Sequence, residues 1–260
     1  MGETTRLDLE LVRRGLARSR AHAQQLIASD RVRVNGRPAR RSANRVCRSD
    51  ELEAATDRYV SRAAAKLTGA LDHLGLEVHG RAVDAGASTG GFTQVLLERG
   101  CRRVYAVDVG TDQLAATVRA DPRVHVWEQT NLRDLTLSHV EDQPVDLVVA
   151  DVSFISLVLL VAPLASVTRA DGSLLLMVKP QFEVGRERLG KNGVVRSAAD
   201  RAQAVQAVVA AARPLGWYAH RIAASRLLGP AGNAEYFVLL RRSTPDLEPD
   251  PEVAVQADGR

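Results

Sequence analysis

Short apolar runs alternate with stretches of helical periodicity over most of the chain, and this alternation constrains the fold more than any other feature. Runs that suit strands lie at residues 81–84, 104–108, 124–128, 145–151, 174–179, 217–224 and 235–241. Helical patterns lie between them, for example at residues 93–99, 114–120 and 198–212. Because parallel strands need long crossover connections, usually helices, the alternation predicts an α/β domain with a doubly wound parallel sheet.

The composition supports a folded protein with a sizeable core, since 45% of the 260 residues are hydrophobic and 25% are charged. Two cysteines, Cys47 and Cys101, are too few for a disulfide scaffold and suit a reducing cytoplasm. The polar start predicts no signal peptide, and the most apolar stretch, residues 152–165, is shorter than the roughly 20 residues that span a membrane. We therefore expect a cytoplasmic protein without a membrane segment, and without a metal because the histidines lack ligand spacing.

Positive charge is concentrated at the amino end of the chain. Residues 1–56 contain twelve arginines, no lysine and seven acidic residues, whereas residues 57–260 are close to neutral. A basic module in front of a near-neutral body predicts a polyanionic partner, with nucleic acid favoured over a merely solvated arginine-rich face.

The basic module has the pattern of two short helices followed by a hairpin. A first helix ends at Gly15 and a second begins near Ser19. Two valines then alternate with arginines ahead of Asn35-Gly36, a strong hairpin signal. The segments RLD at 6–8, GLARSR at 15–20 and VRVNG at 32–36 resemble the S4 RNA-binding domain. Asp30 stands where that family usually has glycine, so we expect a different turn there.

The resemblance and the arginine-rich surface together predict phosphate contacts, because arginine binds phosphate through two parallel hydrogen bonds. The candidate RNA-binding residues are Arg6, Arg18, Arg20, Arg31 and Arg33.

A glycine-rich loop follows the first strand of the larger domain, with the sequence VDAGASTGGF at residues 83–92. Its glycines would let a ligand approach the backbone, and Asp108 ends the next strand, where a carboxylate can accept ribose hydroxyls. The spacing differs from the G-x-G-x-x-G of dinucleotide sites, and an acid before the first glycine suits the cationic S-adenosylmethionine (SAM) better than a pyrophosphate. The candidate SAM-binding residues are Asp84, Gly86, Ala87, Ser88, Gly90, Gly91, Phe92, Asp108, Asp151 and, beside the adenine, Asn131 and Leu132.

Four charged residues stand at the ends of predicted elements that meet above the carboxyl edge of the sheet: Lys66, Asp151, Lys179 and Glu235. Charges at the ends of buried strands are too costly to desolvate for packing alone. A ribose hydroxyl attacks only with help from a base or from a cation that stabilises the developing alkoxide. Lys179 could serve in either way, with Lys66 as the neighbouring cation and the two acids orienting the lysines and the hydroxyl.

This set resembles the K-D-K-E tetrad of FtsJ-like ribose 2′-O-methyltransferases. With the S4 module, DAGASTGGF at 84–92, DVSFIS at 151–156, KPQFEVG at 179–185 and GNAEYF at 232–237, the chain resembles the TlyA family from residue 6 to about 241. The resemblance implies a Rossmann-like class I SAM-dependent fold that acts on ribosomal RNA (rRNA) within 50S and 30S subunits, as a monomer. The implied targets are cytidines in helix 69 of 23S rRNA and helix 44 of 16S rRNA, with capreomycin and viomycin sensitivity as the consequence.

The predicted organisation is an S4 domain at residues 1–56, a linker at 57–60, the methyltransferase domain at 61–242 and a disordered, proline-containing tail at 243–260. Tyr59 stands in the linker, where the family often has tryptophan. Residues 183–196 are predicted to form a mobile loop over the RNA site. Four phenylalanines flank the site motifs and are expected to pack in the core or the site wall: Phe92, Phe154, Phe182 and Phe237.

Two other functions stay open at this point. One is a membrane-active cytolysin, because the family has carried the label hemolysin; the lack of a spanning segment argues against it. The other is a non-catalytic RNA-binding factor in ribosome assembly, which an intact glycine loop and complete tetrad argue against.

Overall fold

The chain divides into two units, Met1–Arg58 and Tyr59–Arg260, and each is described by itself. The computed structural model describes residues 4–17, 19–55, 58–245 and 247–258. Tyr59 thus begins the second unit, where its hydroxyl donates to Glu98 Oε2 at 3.0 Å.

The first unit has the two helices and the hairpin that its sequence predicted, together with further short strands that extend the hairpin and form a second small sheet. Its elements are β1 (Thr4–Arg6), α1 (Leu7–Arg13), α2 (Arg20–Ala28), β2 (Val32–Val34), β3 (Arg37–Pro38), β4 (Arg45–Cys47) and β5 (Leu52–Ala54). β1 pairs with β4, and β2 lies between β3 and β5. Leu7, Leu11, Leu26 and Val32 form the centre of its core.

The predicted hairpin is confirmed, because Asn35 and Gly36 both have positive φ and join β2 to β3 in a two-residue turn. The expected departure at Asp30 is wrong: Asp30 adopts φ +58°, the left-handed conformation in which glycine would end the helix. Aspartate is among the few non-glycine residues that enter this region readily, so the turn is kept.

The second unit is built on a seven-stranded sheet with the order β11-β12-β10-β9-β6-β7-β8. Its strands are β6 (Arg81–Ala85), β7 (Arg103–Val107), β8 (Val124–Trp127), β9 (Val145–Ala150), β10 (Thr168–Val178), β11 (Tyr218–Ala224) and β12 (Tyr236–Arg241). Its helices are α3 (Ala63–Leu74), α4 (Gly91–Glu98), α5 (Ala116–Arg119), α6 (Val161–Ser166), α7 (Pro180–Glu183), α8 (Ala198–Ala212) and α9 (Pro251–Gln256). Helices lie between most consecutive strands, as predicted, but not between β8 and β9, where the chain forms two 3₁₀ turns, nor between β11 and β12.

Both faces of the sheet are covered, which explains why its central strands are continuous apolar runs. Val148 of β9 packs on one face with residues of α6 and α8, and Val149 packs on the other with residues of α3 and α4. Among the described residues, no helix combines the length and apolar character needed to cross a bilayer.

One strand departs from the predicted parallel sheet. β12 runs antiparallel to both of its neighbours, β10 and β11. Only residues 225–235 connect β11 to β12, and they form no helix, so the chain turns back as a hairpin instead of crossing over the sheet.

The predicted disordered tail is corrected at residues 251–256, which form α9. Asp250 caps this helix by accepting from the backbone N–H of Glu252 at 2.8 Å, and Pro251 occupies its first turn. Proline is favourable in that position, so this proline starts a helix rather than preventing one. Val255 is only 1% exposed and packs into the core beside α8.

The tail helix should therefore contribute to stability. We expect Val255→Ala to lower the free energy of unfolding by about 2 kcal/mol, because it leaves a cavity in the core. Val253 lies on the same helix but is 63% exposed, and Val253→Ala should change the stability by no more than about 0.5 kcal/mol. Urea unfolding of both variants measures the contrast; equal effects would show that α9 does not dock.

Candidate active site

The glycine loop begins where β6 ends, at the carboxyl edge of the sheet. Gly86 has φ +82°, and a Cβ built on it would lie 2.8 Å from the carbonyl oxygen of Asp151. Gly90 has φ +92°, precedes α4, and would bring a Cβ within 2.8 Å of Leu114. Any side chain at these positions would push the loop away from β9 or from the Leu114 region, so the tight turn requires glycine.

Asp84 lies on β6 and is fully buried. Its Oδ2 accepts a hydrogen bond from the Thr93 hydroxyl at 2.6 Å, whereas Oδ1 has no hydrogen-bond partner among the described residues. Burial raises the pKa of this carboxyl to about 7, and the Thr93 hydroxyl and backbone N–H oppose the rise. A buried, half-satisfied carboxylate at the start of the loop is the kind of group that a cationic ligand would stabilise.

Asp108 follows β7 and joins two loops. Its Oδ2 accepts from the backbone N–H of Ser88 at 2.8 Å, and its Oδ1 accepts from that of Gly110 at 2.7 Å. Each carboxylate oxygen can accept further hydrogen bonds, so both can still bind ribose hydroxyls.

Two opposite-charge pairs unite the four predicted catalytic residues. Lys66 on α3 lies with its Nζ 2.5 Å from Glu235 Oε2, and both side chains are buried. Lys179, at the end of β10, lies with its Nζ 2.6 Å from Asp151 Oδ1 and donates to Ser153 Oγ at 2.9 Å. The Lys179–Asp151 contact is a close ion pair without hydrogen-bond alignment, and Oε1 of Glu235 has no hydrogen-bond partner in the described part of the chain.

A cavity of 510 Å³ joins these pairs to the glycine loop. All four predicted catalytic residues line it, together with Gly86, Ala87, Ser88, Gly91 and Phe92. The structure does not bring the other predicted cofactor residues to its lining: Asp84, Gly90, Asp108, Asn131 and Leu132. Asn131 instead accepts from the backbone N–H of Arg133 at 3.0 Å, and the Leu132 side chain packs in the core.

A second cavity, of 580 Å³, lies at the opposite edge of the sheet, lined by Glu77, Asp146, Asp171 and Arg241 among others. Some of its charged groups already have partners; Arg241, for example, donates to Ser173 Oγ at 3.1 Å. Ligands of open α/β sheets bind at the carboxyl edge, where the glycine loop and the lysine pairs lie, so we assign the site there.

The phenylalanines divide into two groups. Phe92 and Phe237 are buried and stack on each other with ring centroids 6.2 Å apart, as expected of core residues. Phe154 is 92% exposed, contacts Phe182 with centroids 5.3 Å apart, and lines the cavity. Phe154 thus lies in the wall of the site, as expected, but most of its side chain is exposed rather than packed. Its φ of +64° is strained for a bulky residue, a feature that concentrates at functional sites.

Glu183 holds the loop that carries Phe154 against α7. Its Oε2 accepts from the Ser156 hydroxyl at 2.5 Å and its Oε1 from the backbone N–H of Leu157 at 2.8 Å. Burial raises the pKa of Glu183, and these two hydrogen bonds oppose the rise. Sequence reasoning gave no role to Glu183 or to Ser153, although both lie within the stretches that carried the family resemblance.

Asn233 was also missed, and it fixes part of the predicted loop over the site. It is buried, accepts from the backbone N–H of Val195 at 2.9 Å, and donates to the Gly193 carbonyl at 3.0 Å. Asn192 and Gly193 of this loop line the cavity. The loop thereby forms a wall of the site. The residue that holds it, Asn233, precedes Glu235 by two positions in the sequence.

The predicted RNA-binding arginines lie in different surroundings. Arg6 and Arg20 both bond the carboxylate of Asp8. Arg31 donates to the Ala55 carbonyl at 3.1 Å, and Arg33 donates to that of Gly36 at 3.0 Å. Arg18 lies outside the described residues.

Comparison with known proteins agrees with this arrangement. Residues 59–242 match the FtsJ-like methyltransferase family, and residues 5–52 match the S4 domain family. The chain is thus defined as an FtsJ-like methyltransferase that carries an S4 domain.

Comparison with individual relatives identifies the family more specifically. The chain is 49% identical, over 94% of its length and 92% of the relative's, to "16S/23S rRNA (cytidine-2′-O)-methyltransferase TlyA" of Mycobacterium tuberculosis. It is 35% identical, over 72% of both chains, to "23S rRNA (cytidine-2′-O)-methyltransferase TlyA" of Campylobacter jejuni. A solved structure of a candidate hemolysin from Streptococcus thermophilus is 34% identical, with a TM-score of 0.77, and covers 100% of this chain and 97% of its own. The chain belongs to the TlyA family.

The burial of Asp84 predicts a pH-dependent stability. Its pKa is raised from 3.8 to about 7 on folding, so the stability that the protonated carboxyl contributes is complete below about pH 4 and is lost as the pH rises through 7. Asp84→Asn removes this titration. We expect the unfolding free energy of the native chain to fall, relative to the variant, by a few kcal/mol between pH 4 and pH 8. Denaturant titrations at both pH values measure it; a constant difference would refute the burial effect.

Proposed function

We propose that this chain is a SAM-dependent methyltransferase that acts on the 2′-hydroxyl of cytidine in rRNA. The observation that carries the proposal is the presence of both lysine–carboxylate pairs in the lining of the cavity that the glycine loop also lines. The rRNA (cytidine-2′-O)-methyltransferase names of its relatives, at 49% and 35% identity, support the substrate.

The site residues fit SAM. The cavity volume of 510 Å³ lies within the range of about 300–1,000 Å³ that is usual for small-molecule sites. Gly86 allows the tight turn of the loop, because a side chain there would meet the Asp151 carbonyl, and the buried Asp84 carboxylate at the start of the loop suits a cationic methionine group. Asp108 would accept the ribose hydroxyls, since each of its carboxylate oxygens can accept a further hydrogen bond. When bound, SAM supplies a methyl group that is activated by its sulfonium charge.

Lys179 would hold the attacking oxygen. An ammonium group has three N–H donors; Ser153 accepts one, and Asp151 lies within 2.6 Å, which leaves a donor for the ribose 2′-hydroxyl. As the oxygen attacks, the Lys179 ammonium would stabilise its developing negative charge, and the Asp151 carboxylate would take up the proton that the hydroxyl loses. Stabilising charge that develops during the reaction, from a fixed position, is a major source of catalysis.

Lys66 and Glu235, which also line the cavity, would support this step. Glu235 keeps Oε1 without a protein partner, so this oxygen can orient the incoming ribose. Lys66 neutralises the acid and adds positive potential near the alkoxide.

Removing the Lys179 amine should abolish methyl transfer without loss of SAM binding. Lys179→Ala is expected to lower kcat on the order of 10²–10⁴-fold, the range typical of acid–base groups. Only three lysines occur in the sequence, and the third, Lys191, does not line the cavity, so Lys191→Ala is the matched control. Transfer from radiolabelled SAM, with calorimetric SAM titration, measures both. Retained turnover in Lys179→Ala would overturn the assigned role.

Phe154 would hold the target base. Its exposed ring at the mouth of the cavity, supported by Phe182, offers a stacking surface for a nucleotide taken out of its helix. Stacking on an aromatic ring contributes about 1–3 kcal/mol per base, so Phe154→Ala should raise KM for the RNA about tenfold or more. Phe154→Tyr should restore it, and SAM affinity should not change. An unchanged KM in Phe154→Ala would contradict stacking.

We further propose that both ribosomal subunits are substrates, with cytidines of helix 69 in 23S rRNA and helix 44 in 16S rRNA as targets. The more similar of the two rRNA-modifying relatives is named for both rRNAs, and the less similar for 23S rRNA alone. Loss of the enzyme would then reduce sensitivity to capreomycin and viomycin. The chain would act as a cytoplasmic monomer.

The test is methyl transfer from radiolabelled SAM to separate, unmethylated 30S and 50S subunits, with the labelled ribose mapped. Label on both subunits supports the full proposal, and label on 50S alone keeps the reaction but narrows the range. SAM binding with no label on either subunit would instead favour a non-catalytic role in ribosome assembly.

A further inference from the structure

A fully buried carboxylate lies between two of the predicted RNA-binding arginines. Asp8 is the second residue of α1 and has no exposed surface. Its Oδ1 accepts from Arg6 Nε at 3.0 Å and from the backbone N–H of Leu9 at 3.1 Å. Its Oδ2 accepts from an Arg6 terminal nitrogen at 2.9 Å, from Arg20 Nε at 3.0 Å and from Gln24 at 3.0 Å.

The Asp8 carboxylate links three elements of the first unit through hydrogen bonds. Arg6 ends β1, whereas Arg20 and Gln24 lie in the first half of α2, and all three reach the same side chain on α1. Because both guanidinium groups bond Oδ2, the bonded nitrogens of Arg6 and Arg20 lie within about 6 Å of each other. Two cations held this close need a shared anion between them.

Asp8 leaves much of each guanidinium available for another ligand. Arg6 uses Nε and one terminal nitrogen in the pair, and Arg20 uses only Nε, so three terminal nitrogens are not used by Asp8. The side chains remain 35% and 55% exposed, respectively. The Asp8 carboxylate that joins the two arginines is buried, whereas the side chains of Arg6 and Arg20 are partly exposed to solvent. We call this pair of arginines the arginine fork.

We propose that Asp8 is a positioning residue for RNA binding, which holds Arg6 and Arg20 side by side as a phosphate-binding fork. The proposal rests on the proposed function, in which the S4 unit binds rRNA. A free arginine loses rotamer freedom when it binds phosphate, and a carboxylate that fixes the side chain beforehand removes much of that cost. The hydrogen bonds from both arginines also hold the pKa of Asp8 well below its usual range, so the anion persists at every working pH.

The proposal can be separated from simple charge attraction because the two make opposite predictions. Asp8→Asn removes a negative charge beside the RNA-binding arginines, so attraction alone predicts tighter binding of RNA. Loss of the fork predicts weaker binding in spite of the added positive charge. The sign of the effect therefore decides between them.

Glu10 provides a matched control on the same helix. It is also buried, and it bonds Arg13 at 2.7 and 2.5 Å and Arg14 at 2.8 Å. Arg14 in turn donates to the carbonyls of Cys47 and Asp50 within the same unit, so this second cluster braces the fold. Glu10→Gln changes the net charge by the same amount as Asp8→Asn and leaves Arg6 and Arg20 paired.

The experiment measures the affinity of the full chain for purified, unmethylated 50S subunits at two salt concentrations, with circular dichroism to verify folding. We expect Asp8→Asn to bind about tenfold more weakly than the native chain, and Glu10→Gln to bind at least as tightly as it. In an Arg20→Ala background, Asp8→Asn should weaken binding to 50S subunits much less, because one of the two arginines of the fork is already absent. A structural role alone would leave the loss the same in both backgrounds.

Two results would overturn the proposal: native or tighter binding by Asp8→Asn, or an equal loss with Glu10→Gln. If Asp8→Asn fails to fold, Asp8→Glu keeps the charge but displaces the carboxylate by one methylene, and it should bind 50S subunits more weakly than the native chain; native affinity would then refute the fork. Failure of the proposed function gives a different result, in which the native chain itself neither binds nor methylates the subunits.

Discussion

The buried ion pair between Lys66 and Glu235 is the contact on which the site depends. It joins α3, at the start of the second unit, to the residue that directly precedes β12, 169 residues later in the chain. Removing one member of such a pair leaves an uncompensated buried charge, at a cost of about 3–5 kcal/mol. The hairpin that inserts β12 antiparallel beside β10 therefore helps to form the candidate site, because it brings Glu235 next to the strand that Lys179 follows.

Local patterns in the sequence predicted the parts of the fold that depend on local chemistry. The apolar runs, the Asn35-Gly36 turn and the glycine loop each specify their structure within a few residues. The antiparallel direction of β12 and the docking of α9 depend on contacts between distant segments, which periodicity does not report. A tail rich in proline predicts disorder, yet Pro251 occupies the first turn of a helix, where proline is favourable.

The residues of the candidate site also divide into those that local sequence patterns predict and those whose placement depends on distant segments. Three charged residues at strand ends and Lys66 on α3 were recognisable because burying a charge is unfavourable, and the structure brings all four to one cavity. Whether a side chain at a strand end points to a ligand or into the core is set by neighbours far away in sequence. Asp84 and Leu132, both predicted to bind the cofactor, are therefore buried, whereas Phe154, beside a predicted catalytic residue, is exposed.

In the first unit, the net charge counted from the sequence differs from the positive charge that a binding partner would contact. Four of its arginines bond the two buried carboxylates of α1, so they carry structural and electrostatic roles together: Arg6, Arg13, Arg14 and Arg20. The arginine fork also fixes geometry, which a net charge does not describe.

The scarcity of lysine makes the amines of the cavity unusually accessible to spectroscopy. Of the 35 basic residues only three are lysines, and two of them form the ion pairs of the cavity. Selective ¹⁵N labelling of lysine would place three side-chain resonances in a spectrum, with the exposed Lys191 as an internal reference. The protonation state of each amine in the cavity can thus be followed directly as ligands are added.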